Sequence, residues 1–197
     1  MNTITLRGLL TALQPSHKIK DIEYDQANLI VSRTDGKEDI ISLKFKKFCN
    51  KYADGDTVEL TGNIRSYSQK ISADKNKVSL YVFTYFDIPE TEDTNLLHLD
   101  GRICKLGELR TTKTGKSNIH FILANNLVAK EGNQKLNSYI PCIAWGSLAK
   151  DISKLHVNDK IELTGELHSR EYKKMLDDTN FEFRVAHECV VKSINLI

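Results

Sequence analysis

Residues Ser138–Lys174 read SYIPCIAWGSLAKDISKLHVNDKIELTGELHSREYKK and predict a strand, a short helix, a turn and a second strand. Successive side chains of a strand point to opposite faces. Tyr139 and Trp145 therefore share one face of the first strand, whereas Cys142 and Ala144 share the other. A barrel needs one face of small or aliphatic side chains inside, so a Trp and a Tyr on the opposite face indicate a function at the surface.

The second strand of this stretch shows the same division. Leu163 and Leu167 lie on one face with Gly165, and Arg170 and Tyr172 fall on the other. The preceding helix, predicted over Ser147–Leu155, carries apolar side chains at helical spacing.

The stretch has a counterpart about 100 residues earlier. GDTVELTGNIRS at Gly55–Ser66 aligns with NDKIELTGELHS at Asn158–Ser169, and six of the twelve positions are identical. Asp39–Phe45 aligns with Tyr139–Trp145, which places Phe45 on Trp145. A repeat of this length indicates a duplicated domain rather than a solenoid, whose repeats are shorter.

Each copy predicts five strands with one short helix between the third and fourth. In the first copy the helical piece is expected over Lys46–Tyr52. Gly8 and Gly101 fall inside the first strands, where a glycine permits a tight bend. This order predicts an all-β chain of two tandem OB-fold barrels, which are five-stranded Greek-key barrels. The acidic segment Pro89–Thr94 predicts the linker, and its alternative is a surface loop within one larger domain. The expected domains are 1–91 and 92–197.

Composition narrows the class of protein. A hydrophobic content of 40% and a charged content of 27% are typical of a globular protein. No apolar run approaches the roughly 20 residues that span a bilayer, and the N-terminus does not resemble a signal peptide. The four cysteines are dispersed, so we expect reduced thiols in a cytoplasmic protein. The dispersed histidines predict no metal site, and no cofactor is expected.

Charge favours the second half as the binding half. The residues up to Asp93 carry a net charge of −1 and the rest carry +3, which together give the +2 of the chain. An OB barrel binds ligands on strands 2–3 and with the loops joining strands 1–2 and 4–5. Cations flanking exposed rings suit single-stranded nucleic acid, because the charges follow phosphates and the rings stack on bases. For each residue the alternative is structural: Trp145 in the core, Tyr139 at an interface, or a lysine that is only solvated.

The second half resembles bacterial and phage single-stranded DNA-binding proteins. The resemblance is carried by GRICKLGELRTTKTGKSNIHFILAN, YIPCIAWGSLAK and DKIELTGELHSREYK, within about residues 95–193. It implies base stacking by Tyr139, Trp145 and Tyr172. A further family aromatic is replaced by Leu127-Val128. The residues predicted to bind nucleic acid are Trp145, Tyr172, Tyr139, Arg170, Arg110, Lys113, Lys116, Lys173, Lys174, Phe45, Arg65 and Tyr67.

The first half fits the family as a divergent copy. Asp39 and Gln69 stand where the second half has Tyr139 and Tyr172. Arg65 and Tyr67 share a face, so this groove either binds weakly or leaves Tyr81, Phe83 and Tyr85 to serve an interface. The better groove is expected in the second half.

The resemblance also implies partners. The family gathers four barrels around one strand of DNA, so two barrels in one chain predict a homodimer. The family's Gly-rich tail with an acidic tip has no counterpart at Ser193–Ile197, and recruitment of repair enzymes through such a tip is not expected.

The leading hypothesis is sequence-nonspecific binding of single-stranded DNA in replication, recombination or repair, in a phage or mobile element. The alternative is an interaction module for a primosome or replisome protein. The expected protein partners are replication or recombination proteins. No nucleophile, metalloprotease or phosphate-binding motif is present, so an enzyme is not expected.

Overall fold

The structure is a computed structural model that describes residues 1–47, 52–72, 75–85, 95–128, 135–175 and 180–197. Within these ranges the chain is nearly all β, as the sequence predicts. The strands are β1 (Asn2–Ile19), β2 (Ile22–Ser32), β3 (Glu38–Lys46), β4 (Thr57–Ser72), β5 (Lys75–Thr84), β6 (Asn95–Leu106), β7 (Arg110–Thr111), β8 (Ser117–Val128), β9 (Lys135–Trp145), β10 (Lys160–Met175) and β11 (Phe181–Leu196), and the helix is α1 (Gly146–Ile152).

The strands of each half pair around a closed circuit. In the first half the order is β1–β2–β3–β5–β4 and back to β1, with β3 and β5 parallel. In the second half it is β6–β8–β9–β11–β10 and back to β6, with β9 and β11 parallel. The short β7 pairs with β8 at the edge. The two halves therefore share one order of strand pairing.

Glycine permits close backbone approaches at corresponding points of the two circuits. A Cβ on Gly8 would lie 2.3 Å from the carbonyl oxygen of Ile30, and one on Gly101 would lie 2.4 Å from that of Ala124. Near Gly8, β1 ends its pairing with β4 and continues along β2. A larger residue would force these strands apart.

The two halves join through β1 and β6, whose antiparallel pairing is centred on Ile4 and Leu97. Asn2 lies on one side of this centre, and its side chain hydrogen-bonds both backbone groups of Ile64. Asn95 bonds both backbone groups of Leu167 in the same way. The two halves are thus related by an approximate twofold axis through the junction.

Strand alternation sets the core. Leu163 and Leu167 are buried as predicted, as are Cys142 and Ala144 on β9. In α1 the buried side chains are Ala149 and Ile152. The helix predicted over Ser147–Leu155 is therefore present but shorter. The helical piece predicted over Lys46–Tyr52 falls largely on 48–51, outside the described residues, and Lys46 is the last residue of β3. The predicted linker also lies outside them.

The alignment of Phe45 with Trp145 is wrong by one residue. Leu43 pairs with Val82 in β5 as Cys142 pairs with Cys189 in β11. Phe45 therefore corresponds to Ala144, and only 5% of it is exposed. Its ring fills the core, because a position one residue away on a strand faces the opposite side of the sheet.

Asp39, which the sequence aligns with Tyr139, is not exposed as Tyr139 is. Its side chain is fully buried and accepts hydrogen bonds from the Arg33 guanidinium. The β1–β2 hairpin has long polar arms, which pair up to Ile19 and Ile22.

Candidate nucleic-acid interface

Trp145 and Tyr139 both expose their rings on the outer face of β9. The exposed fractions are 42% for Trp145 and 48% for Tyr139. Trp145 is the last residue before α1, so the rigid strand–helix junction fixes where its ring stands. Tyr139 lies near the first half, because its backbone N–H donates to Ser66 Oγ at 2.8 Å.

A row of paired residues brings Arg110 beside Trp145. Arg110 on β7 pairs with Asn118 on β8, and Asn118 pairs with Trp145 on β9. Directly paired residues point to the same face of a sheet. Lys113 and Lys116 are exposed in the turn that follows β7, which the Thr112 and Lys116 backbones close at 2.9 Å. Arg110 thus lies two strands from Trp145 in one row of paired residues, and the two lysines lie in the turn that joins β7 to β8.

Arg170 and Tyr172 form a second cluster on β10. The Arg170 Cζ lies 5.7 Å from the centre of the Tyr172 ring. Its Nε lies 3.9 Å from Glu188 Oε1, and His120 Nδ1 lies 4.0 Å from Glu188 Oε2. The Glu188 carboxylate therefore lies between Arg170 and His120 on this surface.

Lys173 and Lys174 separate onto different faces of the β10–β11 hairpin. Lys174 shares the face of Tyr172 by alternation, whereas Lys173 places its Nζ 3.6 Å from the centre of the Phe181 ring. Phe181 and the 62%-exposed Phe183 meet edge to face at 5.5 Å on that side. Lys173 is thus not brought together with Tyr172, because one residue of sequence moves a strand side chain across the sheet.

The first half builds its own cluster of rings and cations. Lys44 Nζ lies 5.5 Å from the ring centre of Tyr67 and 5.0 Å from that of Tyr81. The Arg65 guanidinium stacks 3.9 Å from the centre of the Phe83 ring. Phe83 is buried, whereas 47% of Tyr67 is exposed. Lys44 was not among the predicted site residues. The alignment of Phe45 with outward Trp145 places Lys44 on the inward face, so that alignment concealed this lysine.

Tyr24 is another ring that the sequence did not single out. It pairs with Lys46 at the place where Asn118 pairs with Trp145 in the second half. The aromatic residue of this pair thus comes from β2 in the first half and from β9 in the second. His17 stacks on Tyr24 with ring centres 4.7 Å apart.

The two clusters meet in one cleft, which we call the central groove. Its volume is about 530 Å³. Lys44, Tyr67 and Tyr81 line it from the first half, and His120, Arg170 and Tyr172 line it from the second. Strands far apart in sequence form its walls, so no local motif could reveal it.

Burial shifts the pKa values of two side chains, His187 in the groove lining and Cys142 in the core. Desolvation lowers the pKa of His187 below its usual value, and its Nε2–H donates to the Ile40 carbonyl oxygen at 2.7 Å. Cys142 and Cys189 are buried and directly paired on β9 and β11. Burial raises the pKa of the Cys142 thiol well above its usual value, so this thiol stays protonated and unreactive.

Within the described ranges, no three His, Cys, Asp or Glu side chains cluster to hold a metal ion. Nor does any helix there have the length and apolar character needed to cross a membrane.

Comparison with known proteins assigns the family. The model of the single-strand binding protein family matches residues 94–196, more than half of the chain. The chain belongs to this family. A comparison with curated proteins finds no significant match.

Two solved structures resemble the whole chain. Wild-type single-stranded DNA binding protein from Thermus aquaticus matches with a TM-score of 0.74 at 17% identity, covering 100% of this chain and 93% of that one. A deletion mutant of the same protein matches with a TM-score of 0.73 at 18% identity, covering 100% and 94%. At these identities the likeness establishes the fold, which is an OB-fold.

Proposed function

We propose that this chain binds single-stranded DNA without sequence preference, by stacking bases on exposed rings and pairing phosphates with nearby cations. The observation that carries the proposal is the exposed Trp145 beside Arg110, within the region that matches the family. Every base has a π-face, so stacking on a ring is indifferent to sequence and contributes roughly 1–3 kcal/mol per base.

The cations supply the remaining part of the interaction. Arg110 lies in the row of paired residues that contains Trp145, Lys113 and Lys116 are exposed in the adjoining turn, and Arg170 lies over Tyr172. Each phosphate that a cation neutralises releases condensed counterions, so affinity falls as salt rises. A single strand can bend to place bases on rings and phosphates on cations at the same time, whereas a duplex hides its base faces.

We further propose that each closed circuit of strands is one OB-fold barrel, with the domain boundary near residue 91. The common order of strand pairing and the matched glycine contacts support two tandem barrels. Two chains would then supply four barrels in a homodimer. In this proposal the protein acts in the cytoplasm, in the replication, recombination or repair of the DNA of a phage or mobile element. Its partners are replication or recombination proteins, and it catalyses no reaction itself.

One observation favours a second candidate, an interaction module for a primosome or replisome protein. The face of the β10–β11 hairpin opposite Tyr172 exposes Met175, Phe181 and Phe183. Exposed apolar side chains grouped in this way are common at protein interfaces. Under this alternative, nucleic acid would bind only weakly.

Binding of a labelled oligothymidine, followed by fluorescence anisotropy, tests the proposed function. Trp145→Leu removes the ring and should weaken binding about five- to 150-fold, the equivalent of one lost stacking contact. Trp145→Phe retains a ring and should remain within a few-fold of wild type. Equal affinities for the oligothymidine and a duplex of the same length, or no loss in Trp145→Leu, would favour the interaction module.

A further inference from the structure

We propose that the central groove is a composite subsite for single-stranded nucleic acid, in which both halves of one chain contact the same short segment. This inference rests on the proposed function and deepens it. It assigns binding roles to Lys44 and Tyr81, and it places the predicted residues Tyr67 and Tyr172 in one site with them rather than in separate grooves of the two halves.

The two walls of the groove carry complementary sets of the same chemistry. On the first-half wall, Lys44 Nζ lies within 5.5 Å of both tyrosine ring centres. On the second-half wall, Arg170 lies over the Tyr172 ring. Each wall thus offers rings for bases and a cation for a phosphate, and the groove between them holds about 530 Å³, a size typical of ligand sites.

Hydrogen bonds of matching pattern fix one wall relative to the other. Ser66 N–H donates to Ser138 Oγ, and Tyr139 N–H donates to Ser66 Oγ. On the other side of the approximate twofold axis, Ser169 N–H donates to Asp39 and Ile40 N–H donates to Ser169 Oγ. The walls are therefore held in place before a ligand enters, which lowers the entropic cost of binding.

The charges of the groove select an anionic occupant. Lys44 and Arg170 contribute positive charge from opposite walls, against the single carboxylate of Glu188 on this lining. At 3.9 Å, the contact between Arg170 and Glu188 is longer than a direct hydrogen bond. A phosphate can thus compete for the guanidinium. Rings with cations on both sides fit consecutive nucleotides of one strand, because bases and phosphates alternate along it.

A composite subsite predicts energetic coupling between residues of different halves. If Tyr67 and Tyr172 hold one segment, removing either ring releases that segment, and removing the second ring then costs little. If the halves bind separate segments, the two losses are independent and their fold-changes multiply. Trp145 serves as the reference, since it does not line the groove and lies four residues beyond the groove residue Pro141 on β9, about 13 Å at strand spacing.

The experiment is a double-mutant cycle with Tyr67→Leu and Tyr172→Leu, using labelled oligothymidine and the full chain. Each single variant should weaken binding about five- to 150-fold. The double variant should bind within about threefold of the weaker single variant. In the control cycle, Tyr67→Leu with Trp145→Leu should give the product of the two fold-changes. Tyr67→Phe and Tyr172→Phe retain the rings and show that any loss is not caused by misfolding.

The outcomes separate this inference from the proposed function. Wild-type affinity in Tyr67→Leu, or multiplicative losses in Tyr67→Leu with Tyr172→Leu, would overturn the composite subsite while Trp145→Leu still weakened binding. A wild-type protein that fails to bind oligothymidine would overturn both. Coupling in the first cycle and independence in the control cycle support the composite subsite.

Discussion

Replacing Arg33 with methionine should destabilise the protein by about 3–5 kcal/mol, the usual cost of removing one partner from a buried ion pair. Arg33 Nε donates to Asp39 Oδ2 at 2.7 Å, and the same guanidinium donates to the Ser169 carbonyl oxygen at 2.9 Å. The Asp39 side chain is fully buried. Arg33→Met would therefore leave a buried carboxylate whose remaining donor is the Ser169 N–H, and it would weaken the contact between the two halves.

Urea unfolding followed by Trp145 fluorescence measures this loss. Arg7→Met is the matched control, because Arg7 Nε lies 3.3 Å from Glu59 and both side chains are about half exposed. Such a surface pair contributes at most about 1 kcal/mol. Adding Asp39→Asn to Arg33→Met removes the stranded charge and should recover part of the stability. Equal, small losses in Arg33→Met and Arg7→Met would refute the reasoning, because they would show that Asp39 is not buried in solution.

Three further variants test the site and the fold. Glu188→Gln should tighten oligothymidine binding about two- to fivefold, the size of one exposed charge pair, because Arg170 no longer faces a carboxylate; unchanged or weaker binding would show that Glu188 does not compete with phosphate. Burial keeps the pKa of His187 below its usual value of about 6.5, so the unfolded chain takes up this proton at a higher pH than the folded chain, and the free energy of unfolding falls as the pH drops below that value. His187→Gln should therefore lose less stability than wild type between about pH 7 and about pH 5 in urea unfolding, and equal losses would exclude His187 as the source. Gly165→Ala would place a Cβ 2.5 Å from the Val190 carbonyl oxygen and should lower the free energy of unfolding by about 1–3 kcal/mol, whereas a wild-type urea midpoint would contradict this close approach.

Local alternation allowed much of the fold to be predicted. The division of β9 into exposed Tyr139 and buried Cys142 followed directly from the period of two, and Gly8 and Gly101 marked the close approaches of the first strands. The extent of β1 and β2 did not follow, because their polar hairpin is stabilised by pairing between its arms rather than by an apolar pattern.

The alignment of the halves failed where a single residue decides which face a side chain occupies. Phe45 was matched to Trp145 on residue type, yet the parallel pairing of β3 with β5 aligns Phe45 with Ala144 in the core. Alternation likewise places Lys173 and Tyr172 on opposite faces of the hairpin, although they are adjacent in sequence.

The central groove could not be predicted because it depends on how the halves pack. Lys44 and Tyr172 are far apart in sequence, and they line one cleft because the β1–β6 pairing and the hydrogen bonds at Ser66 and Ser169 join the halves. Patterns within a strand carry no information about such long-range placement. The sequence identified Tyr67 and Tyr172 as surface residues without showing that they face each other, and it did not single out Lys44.

Titration with polythymidine, followed through the fluorescence of Trp145, tests the central claim most directly. Trp145 is the one tryptophan in the chain, so the signal reports on its ring alone. Stacking on a base should quench the emission strongly and saturably at low salt, and added salt should reverse the quenching as phosphate contacts weaken. Emission that stays unchanged at saturating polythymidine and low salt would contradict the claim that this exposed ring binds single-stranded DNA.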